Sequence, residues 1–162
     1  MKRNLSIATL LLLTFFMVRP AVSADWNKGL DAYANGDYAA AMREWKPLAE
    51  QGDTEAQSQL GQMYANGKGV VQDYKMAVKW FKKAAEQGHT SAQNSLGFMY
   101  DKGQGVLQDY TRAHMWFNIV ASSRRKQAAK NRDKVAKKMS SSQIEKAQDL
   151  ARQCIKEKYK NC

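Results

Sequence analysis

The sequence predicts an all-α protein: a solenoid of stacked helix pairs, about eight helices in all, with a capping helix at its C-terminal end. Three observations lead there. First, a unit of 36 residues recurs, and Asp53–Gly88 laid over His89–Arg124 is identical at 17 of the 36 positions. Second, each unit holds two runs of apolar residues at the three-and-four spacing of a helix face, separated by glycines. Third, an earlier partial copy precedes them: Asp37-Tyr38, Ala41, Lys46, Ala49 and Glu50-Gln51-Gly52 match Asp73-Tyr74, Ala77, Lys82, Ala85 and Glu86-Gln87-Gly88. A unit of this length cannot bury its apolar face alone. Stacking against its neighbours buries it, and that makes the repeat a fold signal.

The chain opens with Lys2 and Arg3, a mostly apolar run from Leu5 to Val18, and the small-residue segment Val22-Ser23-Ala24. This is the pattern of a secretory signal, with cleavage expected after Ala24. The run is 14 residues long, shorter than the roughly 20 apolar residues that span a bilayer. Removal is therefore expected over retention as an anchor, with no transmembrane segment left afterwards. A periplasmic or secreted location follows as an expectation.

Residues 25–52 read as a first helix pair with a short Asn35-Gly36 turn. Its apolar positions are Trp26, Leu30 and Tyr33, then Tyr38, Ala41, Met42, Trp45 and Leu48. In residues 53–88 the first helix is expected from Thr54 to Asn66, with Ala56, Leu60, Met63 and Tyr64 on one face. Gly67-Lys68-Gly69 breaks it. Asp73 is placed to cap the second helix, since its carboxylate can accept from free N–H groups. That helix carries Tyr74, Ala77, Val78, Phe81, Ala84 and Ala85 and should stop near Gly88. Residues 89–124 repeat the plan. Gly61 and Gly97 fall mid-helix, where glycine costs about 1 kcal/mol against alanine; a close helix–helix approach would account for them. Over residues 125–162 the repeat decays. A helix is expected from Arg124 to Lys138. A last helix should then be opened by a Ser142/Glu145 capping box and striped by Ile144, Ala147, Leu150, Ala151, Cys154 and Ile155.

Charge is uneven. From Asp25 to Tyr110 there are 9 Lys/Arg against 11 Asp/Glu; from Thr111 to Cys162 there are 14 against 4. Arg124, Arg125, Lys126, Lys130, Lys134, Lys137 and Lys138 form a basic stripe at helical spacing. It is either a solvated face or a dock for an acidic protein or another anionic surface. No nucleic-acid partner is expected.

Catalytic chemistry finds no foothold. His89 and His114 lack Cys or His neighbours at metal spacing and are expected to be solvated. No serine lies in a Gly-x-Ser-x-Gly turn, and Gly67-Lys68-Gly69 lacks the spacing of a phosphate loop. Asp73 and Asp109 recur with the repeat, as caps do. No catalytic residue, metal or cofactor is assigned.

Cys154 and Cys162 allow a single intramolecular pairing. On one continuous helix they would lie about 12 Å apart, too far for a disulfide. The helix should therefore end near Lys158 and the tail fold back to form the bond; two free thiols are the alternative.

Leu60-Gly61-x-x-Tyr64, Gly67-x-Gly69-Val70, Asp73-Tyr74-x-x-Ala77, Trp80-Phe81-x-x-Ala84-Ala85, then Gly88 and Ala92 together resemble the Sel-one-like repeat (SLR), a branch of the tetratricopeptide class. The resemblance is close from Asp37 to Ala121. It implies a right-handed superhelix whose first helices line a concave face, serving as a scaffold for protein–protein contacts, often in the bacterial envelope or in host interaction. β-Lactam binding or hydrolysis has been attributed to cysteine-rich relatives. This chain lacks their repeat cysteines, which leaves a weak hydrolase the least favoured reading. If first-type helices line the groove, the inward residues are Asn27, Asp31, Asn35, Glu55, Ser58, Gln62, Asn66, Ser91, Asn94, Phe98, Asp101 and Lys102. Such a surface is rich in side chains that both donate to and accept from a peptide backbone.

Overall fold

The structure is a computed structural model and describes residues 24–123, 125–160 and 162. The expected signal segment lies outside the described residues except for Ala24, and Arg124 also lies outside them. The described residues form eight helices: α1 Trp26–Ala34, α2 Tyr38–Glu50, α3 Thr54–Asn66, α4 Tyr74–Ala85, α5 Thr90–Lys102, α6 Tyr110–Ser122, α7 Lys126–Ala136 and α8 Ser141–Lys156. Among the described residues no helix is long and apolar enough to cross a membrane. Helices α1 to α7 pack each on the next, and α3 also touches α5. This is an all-α solenoid of helix pairs.

The repeated residues explain the repeated geometry. Asp37, Asp73 and Asp109 accept from Ala40 N at 2.9 Å, Met76 N at 3.0 Å and Arg112 N at 2.9 Å, so each second helix starts at the same aspartate. Gly67 and Gly103 close α3 and α5 at φ 66° and 68°, a left-handed conformation that favours glycine. Gly61 and Gly97 admit a ring: a Cβ on Gly61 would meet Phe81 Cδ1 at 2.5 Å, and one on Gly97 would meet Phe117 Cε1 at 2.6 Å. The expected close approach is present at both.

Two further repeated devices tie the units together. Gln57 Nε2 donates to Ala49 O at 3.0 Å, and Gln93 Nε2 donates to Ala85 O at 3.2 Å. Each buried glutamine thereby adds a second hydrogen bond to a carbonyl at the end of the preceding helix, alongside Gly52 N on Ala49 O and Gly88 N on Ala85 O. The second glycine of each loop packs on the preceding unit. A Cβ on Gly69 would lie 2.6 Å from the Tyr38 carbonyl, and one on Gly105 would lie 2.2 Å from Tyr74 O.

The last helix departs from expectation in two ways. Its capping box is Ser140 with Gln143, not Ser142 with Glu145. Met139 packs against the Ala113, Phe117 and Val135 cluster, so the chain enters α8 immediately after it. Helix α8 also lies on α6, so it folds back over an earlier helix instead of simply extending the stack. The Cys154–Cys162 disulfide forms, with Cα atoms 5.5 Å apart. The helix ends at Lys156, slightly earlier than expected, and Lys158 and Tyr159 take positive φ to turn the tail back. Tyr159 then rests beside Gly88.

Candidate functional site

A groove of about 310 Å³ lies among α3, α5 and α7, lined by Gln62, Thr90, Ser91, Asn94, Ser95 and Gln127, with Arg125, Ala128 and Val120 completing it. It draws on first-type helices, with only Val120 from a second-type helix. The repeat register puts it there: Thr90, Ser91, Asn94 and Ser95 sit on the face of α5 opposite Leu96 and Met99, which are buried in the core. Amides and hydroxyls thus point into the groove, and both kinds of group can donate and accept.

Of the residues expected to face inward, Gln62, Ser91 and Asn94 meet in this groove. Asn27, Asp31 and Asn35 are exposed on α1 and its cap, apart from it. Asn66 and Lys102 are exposed at the far ends of α3 and α5. Glu55 is exposed and lies 2.9 Å from His89 Nε2. Phe98 is 41% exposed and rests edge-on against Phe117, ring centroids 5.1 Å apart.

Two of the expected groove residues do not face a groove. Ser58 is buried, and its hydroxyl has no hydrogen-bond partner among the described residues. Asp101 is only 7% exposed, and Lys138 Nζ donates to its Oδ1 at 2.7 Å. At both positions the helix face turned from the core, as read from periodicity, is covered by an adjacent element.

That ion pair also reshapes the basic stripe. Lys126, Lys130 and Lys134 are exposed along α7, Lys137 caps its end, and Lys138 lies beyond it. Lys138 is committed to Asp101 and sits 4.8 Å over the Tyr110 ring. The hydrogen bond to Asp101 holds it above the usual lysine pKa. Arg125 lines the groove, so one residue read as part of the stripe belongs to the other surface.

The histidines differ from expectation too. His89 caps α5: its Nδ1 accepts from Ala92 N at 3.2 Å. His114 is 2% exposed, not on an outer face. Burial pushes its pKa below the usual histidine value, and Arg132 pushes it the same way.

Thr90, Ser95 and Gln127 were missed by sequence reasoning. Thr90 opens α5, where capping is the ordinary reading, and Ser95 lies in the second turn of the same helix. Gln127 lies on α7, where the repeat has decayed.

The Sel1 repeat family matches residues 54–89 and 90–122. Among solved structures, the chain is similar to a protective antigen present in uropathogenic Escherichia coli strains and displaying an SLR fold. The TM-score is 0.77 and the sequences are 32% identical over 82% of this chain and 29% of that one. It is also similar to a Sel1 repeat protein from Oxalobacter formigenes, with TM-score 0.63 and 30% identity over 67% of this chain and 44% of that one. The chain therefore spans less than a third of the first and less than half of the second. No curated protein matches it.

Proposed function

This chain belongs to the Sel1-repeat family, and from that premise we propose that it is an exported, non-catalytic interaction scaffold whose α3–α5–α7 groove holds an extended segment of a partner protein. The observation that carries this reading is the groove's lining. Gln62, Ser91 and Asn94 leave the fold and enter the groove, while the equivalent-looking Gln57 and Gln93 are consumed in packing. A peptide backbone has one donor and one acceptor per residue, and a row of amides matches both. Phe98, one turn beyond Asn94 and 41% exposed, offers a large apolar anchor beside the groove.

The test is affinity capture from an envelope extract with the wild-type chain and with Asn94→Ala/Phe98→Ala. The double variant should lose a partner that wild type retains, with its thermal melt still cooperative. An identical set of captured proteins would reject the groove.

A further inference from the structure

Val71 and Leu107 stand out from every other large apolar side chain among the described residues. They are 89% and 91% exposed, against 40–42% for Leu30, Phe98 and Ile155. They are one repeat apart, at the same place in the same loop. Their neighbours Val70 and Val106 pack on the core, so each loop turns one aliphatic side chain inward and the next outward.

These loops are pinned. Lys68 N donates to Met63 O at 2.9 Å and Asp73 N to Tyr64 O at 2.9 Å; in the next unit Gln104 N donates to Met99 O and Asp109 N to Tyr100 O, both at 3.0 Å. Gly69 and Gly105 seat the loops on the preceding helix pair. The two tips are therefore held out in solvent along one edge of the solenoid.

The same edge is cationic. Lys75 and Lys102 are exposed beside the loops, and Lys137 is exposed in the α7–α8 turn, which Lys138 fastens to this edge through Asp101. Of the carboxylates there, Asp101 is paired with Lys138 and Asp109 with Arg112, and Asp73 sits at a helix N-terminus, whose positive end offsets part of its charge.

We propose that this loop edge docks on an anionic phospholipid bilayer. Val71 and Leu107 would enter the boundary between headgroups and acyl chains, and Lys75, Lys102 and Lys137 would face the phosphates. A protein partner must supply pits shaped for two separated convex tips, whereas a fluid interface receives such tips wherever they fall. Lysines around them match its negative potential. The groove residues of α5 lie at its N-terminal end and Leu107 lies beyond its C-terminal end. A helix of this length separates the two surfaces by about 15–20 Å, which leaves the groove free when the edge is docked.

The experiment floats residues 25–162, the form expected after export, with phosphatidylcholine vesicles, with and without phosphatidylglycerol. Wild type should float with the anionic vesicles and lose binding steeply as salt rises. Val71→Asp/Leu107→Asp should weaken binding by about tenfold or more, with an unchanged melt because neither side chain is packed. Asn94→Ala/Phe98→Ala should float as wild type does. Equal flotation of the Asp variant and wild type would overturn the proposal. So would loss of binding in Lys130→Glu/Lys134→Glu but not in the Asp variant, or no flotation by wild type.

Discussion

Gly97→Ala sets two effects of opposite sign against each other. Replacing a mid-helix glycine by alanine returns about 1 kcal/mol of helix propensity. The new Cβ, however, would lie 2.6 Å from Phe117 Cε1 and 2.8 Å from its Cδ1 and Cζ, where carbon atoms prefer about 3.5–4.0 Å. The ring must retreat by about 1 Å. It has little room, being packed with Ala113 and Val135 and met edge-on by Phe98. Overpacking of this kind costs about 1–3 kcal/mol, and a rigid buried ring puts this site toward the upper end. The net effect is destabilisation by about 1–2 kcal/mol, which lowers Tm by about 4–7 °C for a domain of this size. Differential scanning calorimetry on Gly97→Ala, Phe117→Leu and the double variant measures it. The double variant should lose less than the sum of the singles, because leucine vacates the space the methyl needs. A Gly97→Ala Tm equal to or above wild type would mean that propensity wins and that the close approach does not explain the glycine.

Gln93→Ala should cost about 1 kcal/mol by removing one of the two hydrogen bonds to Ala85 O, which keeps Gly88 N as a donor, while Gln127→Ala, whose amide has no such role, should stay within about 0.5 kcal/mol in urea melts. Reducing the Cys154–Cys162 bond, which closes a loop of sequence separation 8, should lower stability by about 2–3 kcal/mol; hydrogen exchange should quicken over the tail and not over α3, and uniform quickening would contradict a local staple. His114, with its folded-state pKa lowered by burial, binds fewer protons folded than unfolded. Its stabilising contribution is complete above the ordinary value of 6.5 and is lost as pH falls from there through the lowered folded-state value. His114→Val, which installs the residue found one repeat earlier at Val78, should flatten Tm between pH 7 and 5 (roughly the histidine range); an unchanged pH slope would refute the assignment.

The helix plan was legible because it is local. The bounds Thr54–Asn66 follow from an aspartate cap at one end and a left-handed glycine at the other, both visible in the chain. What escaped sequence reasoning depends on which distant element covers a face. His114 sits on a helix flanked by α5, α7 and α8, and nothing near it in sequence announces the last two. Ser58 and Asp101 have the spacing of groove residues but are covered, Asp101 by a lysine 37 residues away. The capping box expected at Ser142/Glu145 lies at Ser140/Gln143 instead, directly after Met139, whose packing on a distant cluster fixes where the helix starts. Gly69 and Gly105 were read as helix breakers; that they also seat one unit on the next is a long-range contact, visible only as their recurrence. Gln62, Ser91 and Asn94 line one depression because they share a face of the first-type helices, an arrangement expected from register together with the resemblance, which places those helices along the concave side.

The seating of each loop on the unit before it gives the stack a direction. Gly69 seats on the Tyr38 carbonyl and Gly105 on that of Tyr74; at Tyr110, as Lys68 covers the ring of Tyr38, it is the ring face that is covered, by Lys138. A further copy of the motif spliced in after α6 would have to evict that lysine and strand Asp101. Lengthening the array there would require a new partner for that carboxylate.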